Sequence, residues 1–267
     1  MGTLISAVMI VKNEQRCIIR CLSSIVDAVD EIVIVDTGST DNTLELIEEY
    51  RKDQKKIRLY HFEWIDDFSA ARNFAISKAR GTWKLTIDAD EFLHPEDVSK
   101  IRDYCKYSLK QGFRNVIADV NIINIKNSEV ADDIYSKANA RIFTGVFKYH
   151  GKMHETLTND YKVKAALINM PIRLYHDGYD PEEVNQIQKG IRNVRLLESA
   201  MKEEPDNIMN YIYFAGEAVK VNVELAVNAI THAEDLFEKS AKKDEIVMDF
   251  LQHVKKVVFQ SAGIENK

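Results

Sequence analysis

The stretch "EIVIVDTGSTDNTLELIEEYRK", residues 31–52, decides the fold. Glu31–Asp36 is a short, nearly continuous apolar run rich in β-branched residues, the pattern of a strand buried on both faces. Gly38 then lets the chain turn, Ser39 or Thr40 can cap a helix, and acids fall in the first helical turn. One strand therefore feeds one helix through a short polar loop, and the same unit recurs on either side. Upstream, "ISAVMIV" (5–11) reads as a strand, and the following segment sets Cys17, Ile18, Cys21, Leu22 and Ile25 on one helix face. Downstream, "IRLYHFEW" (57–64) is a third strand, "DFSAARNFAISKARG" a helix closed by Gly81, and "TWKLTIDAD" (82–90) a fourth strand. This alternation predicts a parallel sheet with helices on both faces.

Beyond about residue 115, "NVIADVNIINI", "ARIFTGVFKY" and "PIRLYHDGY" read as strands without long helices between them. They would complete a mixed sheet in the same domain. From Pro181 the pattern is helical: a first helix ends before Pro205, a helix pair follows, and a last helix spans roughly 244–260. The expected organisation is an α/β domain over 1–180 and an all-α appendage over 181–267. The helix pair resembles one tetratricopeptide unit without a convincing second copy.

A chain of 267 residues suits that division. A net charge of −6 disfavours a non-specific nucleic-acid partner. Three cysteines, an odd and sparse set, fit free thiols in a reducing compartment, and Cys17 and Cys21 read as buried small residues rather than a zinc pair. No run approaches the roughly 18 apolar residues of a membrane span, so the expectation is a cytoplasmic protein that is not integral to a membrane.

The polar clusters "KNE", "DTGSTD", "DDFS" and "DADE" all fall at the carboxyl ends of strands, where open α/β sheets bind ligands. The first loop, "VKNEQR", has no glycine to let backbone approach a pyrophosphate, which argues against a dehydrogenase, and no Walker pattern is present. Asp88 and Asp90, two apart on a strand, would share a face, while Glu91 would point away and be structural. Oxygen ligands so placed suit Mg²⁺ or Mn²⁺ that also holds phosphate oxygens, although the tripeptide alone could be a solvated turn. Asp36, at a buried strand end, could bind a ribose or base. Arg72 suits a phosphate clamp, or an ion pair with Asp66 or Asp67. His150, His154, Glu155 and His176 lie on segments that return to the sheet and are candidate ligands or bases.

Together, "VKNE", "VDTGSTDNT", "DDFSAARN", "IDADE", "HGKMHE" and "YHDGY", in this order over residues 4–180, resemble a family 2 glycosyltransferase of the GT-A fold. Within it the chain looks most like the bacterial branch that contains the sublancin-type peptide S-glycosyltransferases. The resemblance implies inverting transfer of a hexose from a nucleotide-sugar donor, commonly a UDP-sugar such as UDP-glucose, with a divalent metal. It implies that the Val11 backbone with Asn13, Glu14 and Asp36 lines the nucleoside pocket, and that Arg72 with Asn73 reaches the diphosphate. Asp88 and Asp90 would serve metal and donor, Asp90 most directly and also in catalysis, and His176 would complete the metal's ligands. Glu155, beside His154, stands where relatives place the general base. The expected acceptor is a peptide or protein side chain, Cys or Ser, and the alternative is a lipopolysaccharide or other cell-surface glycan. The appendage could pair two chains into a homodimer. A nucleotidyltransferase would need a glycine-rich basic first loop, and a non-catalytic sugar-nucleotide-binding protein would not need the acid pair and Arg72 intact.

Overall fold

Strand β1 (Ile5–Val11) shows why the first half folds as it does. Its alternate residues leave on opposite faces. Ile5, Ala7, Met9 and Val11 pack with Ile18, Cys21 and Leu22 of helix α1 (Ile18–Ile25), whereas Val8 packs with Ala75 of helix α3 (Phe68–Lys78). Strand β2 (Glu31–Asp36) repeats the division, with Ile32 and Ile34 on the first face and Val33 and Val35 on the second. The computed structural model describes residues 4–126, 129–135, 140–178, 186–241 and 243–264.

The remaining elements of the α/β part are α2 (Thr43–Tyr50), β3 (Ile57–His61), β4 (Trp83–Thr86), β5 (Glu91–Leu93), a 3₁₀ turn at Pro95–Asp97, α4 (Val98–Lys110), β6 (Val116–Lys126), β7 (Glu129–Tyr135), β8 (Ala140–Thr144), β9 (Lys148–His150), β10 (Thr156–Thr158) and β11 (Ala166–His176). The main sheet runs β3-β2-β1-β4-β8-β6-β11-β5, with β7 paired to β6, and β9 and β10 form a separate hairpin. β1 to β4 are mutually parallel. β8 is antiparallel to β4, and β6 is antiparallel to β8. Two reversals restore the direction, so β6 and its parallel neighbour β11 end on the same edge as β1, β2 and β4. That edge collects the polar loops, and the expected mixed sheet flanked by helices is the one found.

Several boundaries differ from the sequence expectation. β4 stops at Thr86, so Asp88 and Asp90 lie in the turn to β5 and their strand-face relation does not hold. α2 starts at Thr43 rather than after Ser39 or Thr40, because Asp41 accepts the Thr43 N–H at 3.0 Å and sets the first turn there. α3 ends at Lys78 on an extended Ala79, and Gly81 is not its cap. A Cβ at 81 would stand 2.7 Å from the Ser6 backbone nitrogen, so glycine is needed there for close approach to β1. β5, β7, β10 and α4 were not singled out in the sequence; α4 buries Ile101, Cys105 and Ser108.

The chain divides into two compact units, Met1–His150 with Glu155–Val184, and Gly151–His154 with Asn185–Lys267. The boundary expected at 180/181, including the helix start at Pro181, lies outside the described residues. The second unit holds α5 (Gln186–Glu203), α6 (Ile208–Ala218), α7 (Val223–Lys239) and α8 (Glu245–Ala262). Asn207, Asn222 and Asp244 cap the last three through side-chain oxygens, and Gly263, with φ of 68°, ends α8 in the left-handed region. Alanines 215, 218, 226, 229 and 233 form much of its core, with Ile212, Ile230 and Val258 filling between the helices. Among the described residues no helix is long and apolar enough to cross a membrane. Cys17, Cys21 and Cys105 are all free and buried.

Candidate active site

The loops after β1 and β2 are wired to each other. Asn13, with φ of 60°, donates its N–H to Ser39 Oγ at 3.0 Å and accepts the Thr40 N–H at 2.7 Å. The Glu14 N–H donates to Thr43 Oγ1 at 2.7 Å, and the Val11 carbonyl accepts from the Thr37 N–H at 2.9 Å. Asp36 is buried, and its carboxylate accepts the N–H groups of Gly38 and Ser39 at 2.9 and 3.1 Å. The carboxylate of Asp36 is therefore engaged by its own turn. The Glu14 carboxyl is pushed up to about 7, first by burial and then by the nearby charge of Asp90, against a hydrogen bond from Cys17. Glu14 thus stands within electrostatic reach of the acid turn.

That turn is organised by two arginines. Arg72, on α3, gives Nη2 to Asp88 Oδ1 at 2.9 Å and Nε to Glu155 Oε1. Arg141, on β8, gives Nη2 to Glu91 Oε1 at 2.5 Å and reaches Asp88 Oδ2 at 3.4 Å. Burial alone would raise the Asp88 pKa, but Arg72 and then Arg141 outweigh it and hold the carboxyl well below the usual range. Glu91 is nearly fully buried, and its Oε2 accepts the Asp88 N–H at 3.0 Å, which shapes the turn; burial raises its pKa despite Arg141. Arg72 Nη1 is buried with no hydrogen-bond acceptor among the described residues, an open donor of the kind an anion takes. Asn73 has a different task. Its amide donates to the Tyr149 carbonyl at 2.8 Å and accepts the Tyr149 N–H at 2.9 Å, so it docks β9 like a strand neighbour.

Asp90 faces His176, with Oδ2 3.4 Å from Nε2. His176 ends β11 in register with Asn124 on one side and Glu91 on the other. Burial lowers the His176 pKa, but the hydrogen bond and charge of Asp90, with Glu91 and Asp88, outweigh it and raise the value above the ordinary one. Gly178 is packed against the pair. A Cβ there would lie 2.0 Å from Asp90 Oδ2 and 2.6 Å from His176 Nε2. Only glycine lets the backbone pass so close to the pair, and the 3.4 Å between Asp90 Oδ2 and His176 Nε2 is a separation that two ligands of one divalent ion, each at about 2.0–2.2 Å, can adopt. The residues therefore fit a divalent ion held by Asp90 and His176. No group of three or more His, Cys, Asp or Glu poised for a metal occurs among the described residues, so remaining positions would fall to phosphate oxygens and water.

Of the residues singled out in the sequence, the structure brings together Arg72, Asp88 and Glu155, and separately Asp90 and His176. His154 is engaged elsewhere: its φ is 51°, and its ring stacks on Tyr213 of the helical unit at 3.8 Å. His150 is exposed on β9. Arg141, Asn124, Asp177 and Gly178 were missed. Asp177 is buried and binds Arg16 at 2.9 Å and Arg20 at 2.6 Å, while its N–H donates to the Asp90 carbonyl at 3.2 Å. In the sequence Asp177 and Gly178 are marked by their place in "HDG" beside His176.

The sheet order and the edge on which these groups meet define a GT-A-type fold. S. aureus TarS 1–349, solved in complex with UDP-GlcNAc, shares it at a TM-score of 0.54 with 14% identity, covering 99% of this chain and 93% of that one. The model of glycosyl transferase family 2 matches residues 6–150, and the chain belongs to that family. It is 32% identical over 209 residues to the SPbeta prophage-derived glycosyltransferase SunS of Bacillus subtilis strain 168, which covers 78% of this chain and 47% of the relative. The chain thus spans about half the length of that relative. A TPR repeat-containing protein of Synechococcus elongatus is 45% identical over 98 residues, 37% of this chain and 23% of its own length.

Proposed function

We propose that the chain is an inverting glycosyltransferase that moves a hexose from a UDP-sugar to a peptide or protein side chain. The observation that carries it is the facing pair of Asp90 and His176, 3.4 Å apart with Gly178 packed against them, on the edge that gathers the other polar loops. Family membership, the likeness to SunS and the fold shared with a UDP-GlcNAc complex support the same reading. UDP-glucose is the first donor to test.

In this reading the loops after β1 and β2 take the nucleoside, through the Val11 backbone, Asn13, Glu14 and Asp36. The open Nη1 donor of Arg72 points to a diphosphate oxygen. Asp90 and His176 would hold a divalent ion, Mg²⁺ or Mn²⁺, whose chemistry would be to neutralise charge developing on the leaving diphosphate. Asp88, tied to two arginines, fixes the turn that presents Asp90 rather than serving as a ligand. The acceptor's oxygen or sulfur bonds to the anomeric carbon from the face opposite the diphosphate. The bond from that carbon to the diphosphate oxygen breaks, UDP leaves with the electron pair, and the acceptor's proton passes to Glu155. Arg72 holds Glu155 Oε1 and so orients the carboxylate for that transfer.

The helical unit is assigned to holding an acceptor or pairing two chains, and a reducing, cytoplasmic setting accords with three free buried thiols. The test is UDP release with a panel of UDP-sugars, together with intact mass of a Cys-containing and a Ser-containing peptide. A hexose mass increment on a peptide is expected; consumption of no UDP-sugar with any acceptor contradicts the proposal. Glu155→Gln should bind UDP like the wild type and lose about 10²–10⁴-fold in transfer. Unchanged turnover removes Glu155 from the mechanism.

A further inference from the structure

Asn124 belongs to no motif of the sequence. It lies near the end of β6, directly opposite His176 in the parallel register, and is buried. Its Oδ1 stands 2.9 Å from His176 Nδ1. An amide oxygen can only accept, so this contact draws the ring hydrogen to Nδ1. The protonated ring donates Nε2–H to Asp90 Oδ2, 3.4 Å away, and the neutral ring with its hydrogen at Nδ1 turns the lone pair of Nε2 there instead. Two acceptors that face each other repel unless a proton or a cation stands between them, and a side chain at 178 would collide with both.

We propose that Asn124 is a positioning residue: it fixes His176 in the tautomer and orientation that let Nε2 and Asp90 share a divalent cation. Metal-binding histidines usually have the other ring nitrogen held in this way, and loss of such a partner costs 10–100-fold in metal affinity. A neutral amide is the suitable holder here. Glu91 flanks His176 on its other side, and Asp88 and Asp90 already crowd the turn with negative charge, so a further buried carboxylate would add repulsion. The inference rests on the cation reading above, and the test separates the two.

The chain labelled with ¹⁵N-histidine, without metal and at alkaline pH, reports which ring nitrogen of His176 carries hydrogen; loss of the signal in His176→Gln assigns it. Mn²⁺ titration followed by EPR in the presence of UDP, without sugar donor, reports cation affinity without turnover. The wild type should carry its hydrogen at Nδ1. Asn124→Leu should shift hydrogen to Nε2 and weaken Mn²⁺ binding by about 10–100-fold. Asn124→Asp, which restores an acceptor at the cost of that added repulsion, should keep the Nδ1 tautomer and bind Mn²⁺ more tightly than Asn124→Leu. Asn124→Ala serves in the same way if the leucine variant does not fold. Hydrogen at Nε2 in the wild type, or unchanged Mn²⁺ affinity in Asn124→Leu while His176→Ala loses it, overturns the inference. Equal Mn²⁺ binding by the wild type and His176→Ala has a different meaning: it overturns the cation assignment itself, and this inference with it.

Discussion

β1 and β2 carry their site residues in loops a few positions long, whereas β5, β6, β8 and β11 bring theirs from opposite ends of a long segment. Arg141 meets Glu91 across 50 positions, and His176 meets Asn124 across 52. In the first region a loop sequence largely determines its own shape: Asp36 bonds its own turn, and Asn13 bonds the next loop. In the second, the sheet register creates the site, and no single stretch of sequence describes it. The first region can therefore tolerate local adjustment, while the second should fail as a unit when one member changes.

The largest expected effect tests that second region at a residue with no functional group. Gly178→Ala puts a methyl where Asp90 and His176 converge, and should lower transfer by roughly 10²-fold or more while both side chains remain. Circular dichroism should show the fold retained; near-normal turnover would mean the close packing at Gly178 has no role. Next, Arg141→Met removes the cation from between Asp88 and the buried Glu91. Leaving a buried acid unpaired costs about 3–5 kcal/mol, read as a lower denaturation midpoint at unchanged slope. A loss under about 1 kcal/mol would show that the ion pairs are dispensable.

The smallest effect belongs to the first region and depends on pH. Glu14 has a folded pKa of about 7 against an ordinary value of 4.5, so between these pH values the folded chain binds more protons than the unfolded one. Its burial is therefore tolerated below about pH 4.5, and stability is lost as pH rises through 7. Glu14→Gln should match the wild type at the acid end and be more stable by about 2–3 kcal/mol at pH 8, measured by urea denaturation. A difference independent of pH would place the carboxylate in a solvated position.

The same contrast explains what was legible in the sequence. The parallel half of the sheet and the polar edge follow from apolar runs and loop composition. Asp88 and Asp90 are legible as a pair, but nothing in "TIDADEF" shows that β4 stops at Thr86, so the strand relation expected between them does not hold. The two acids then diverge in role: Asp88 is tied to Arg72 and Arg141, and Asp90 turns to His176. Arg141, Asn124 and Asp177 look like ordinary polar residues of strands and strand ends until register sets them beside their partners. Gly178 reads as a turn glycine, and only the three-dimensional approach of two side chains gives it meaning. Gly81 is the same case: in the sequence it reads as a helix cap, and in the fold it is a point of contact with β1.

The central proposal is that one edge takes a nucleotide diphosphate together with a cation held by Asp90 and His176. The most direct measurement is calorimetric titration of the wild-type chain with UDP, once with Mn²⁺ and once with EDTA. Saturable binding with Mn²⁺ and at least about tenfold weaker binding in EDTA, a difference of about 1.4 kcal/mol, is the predicted result. Equal affinity in both, or no binding of UDP in either, would contradict it.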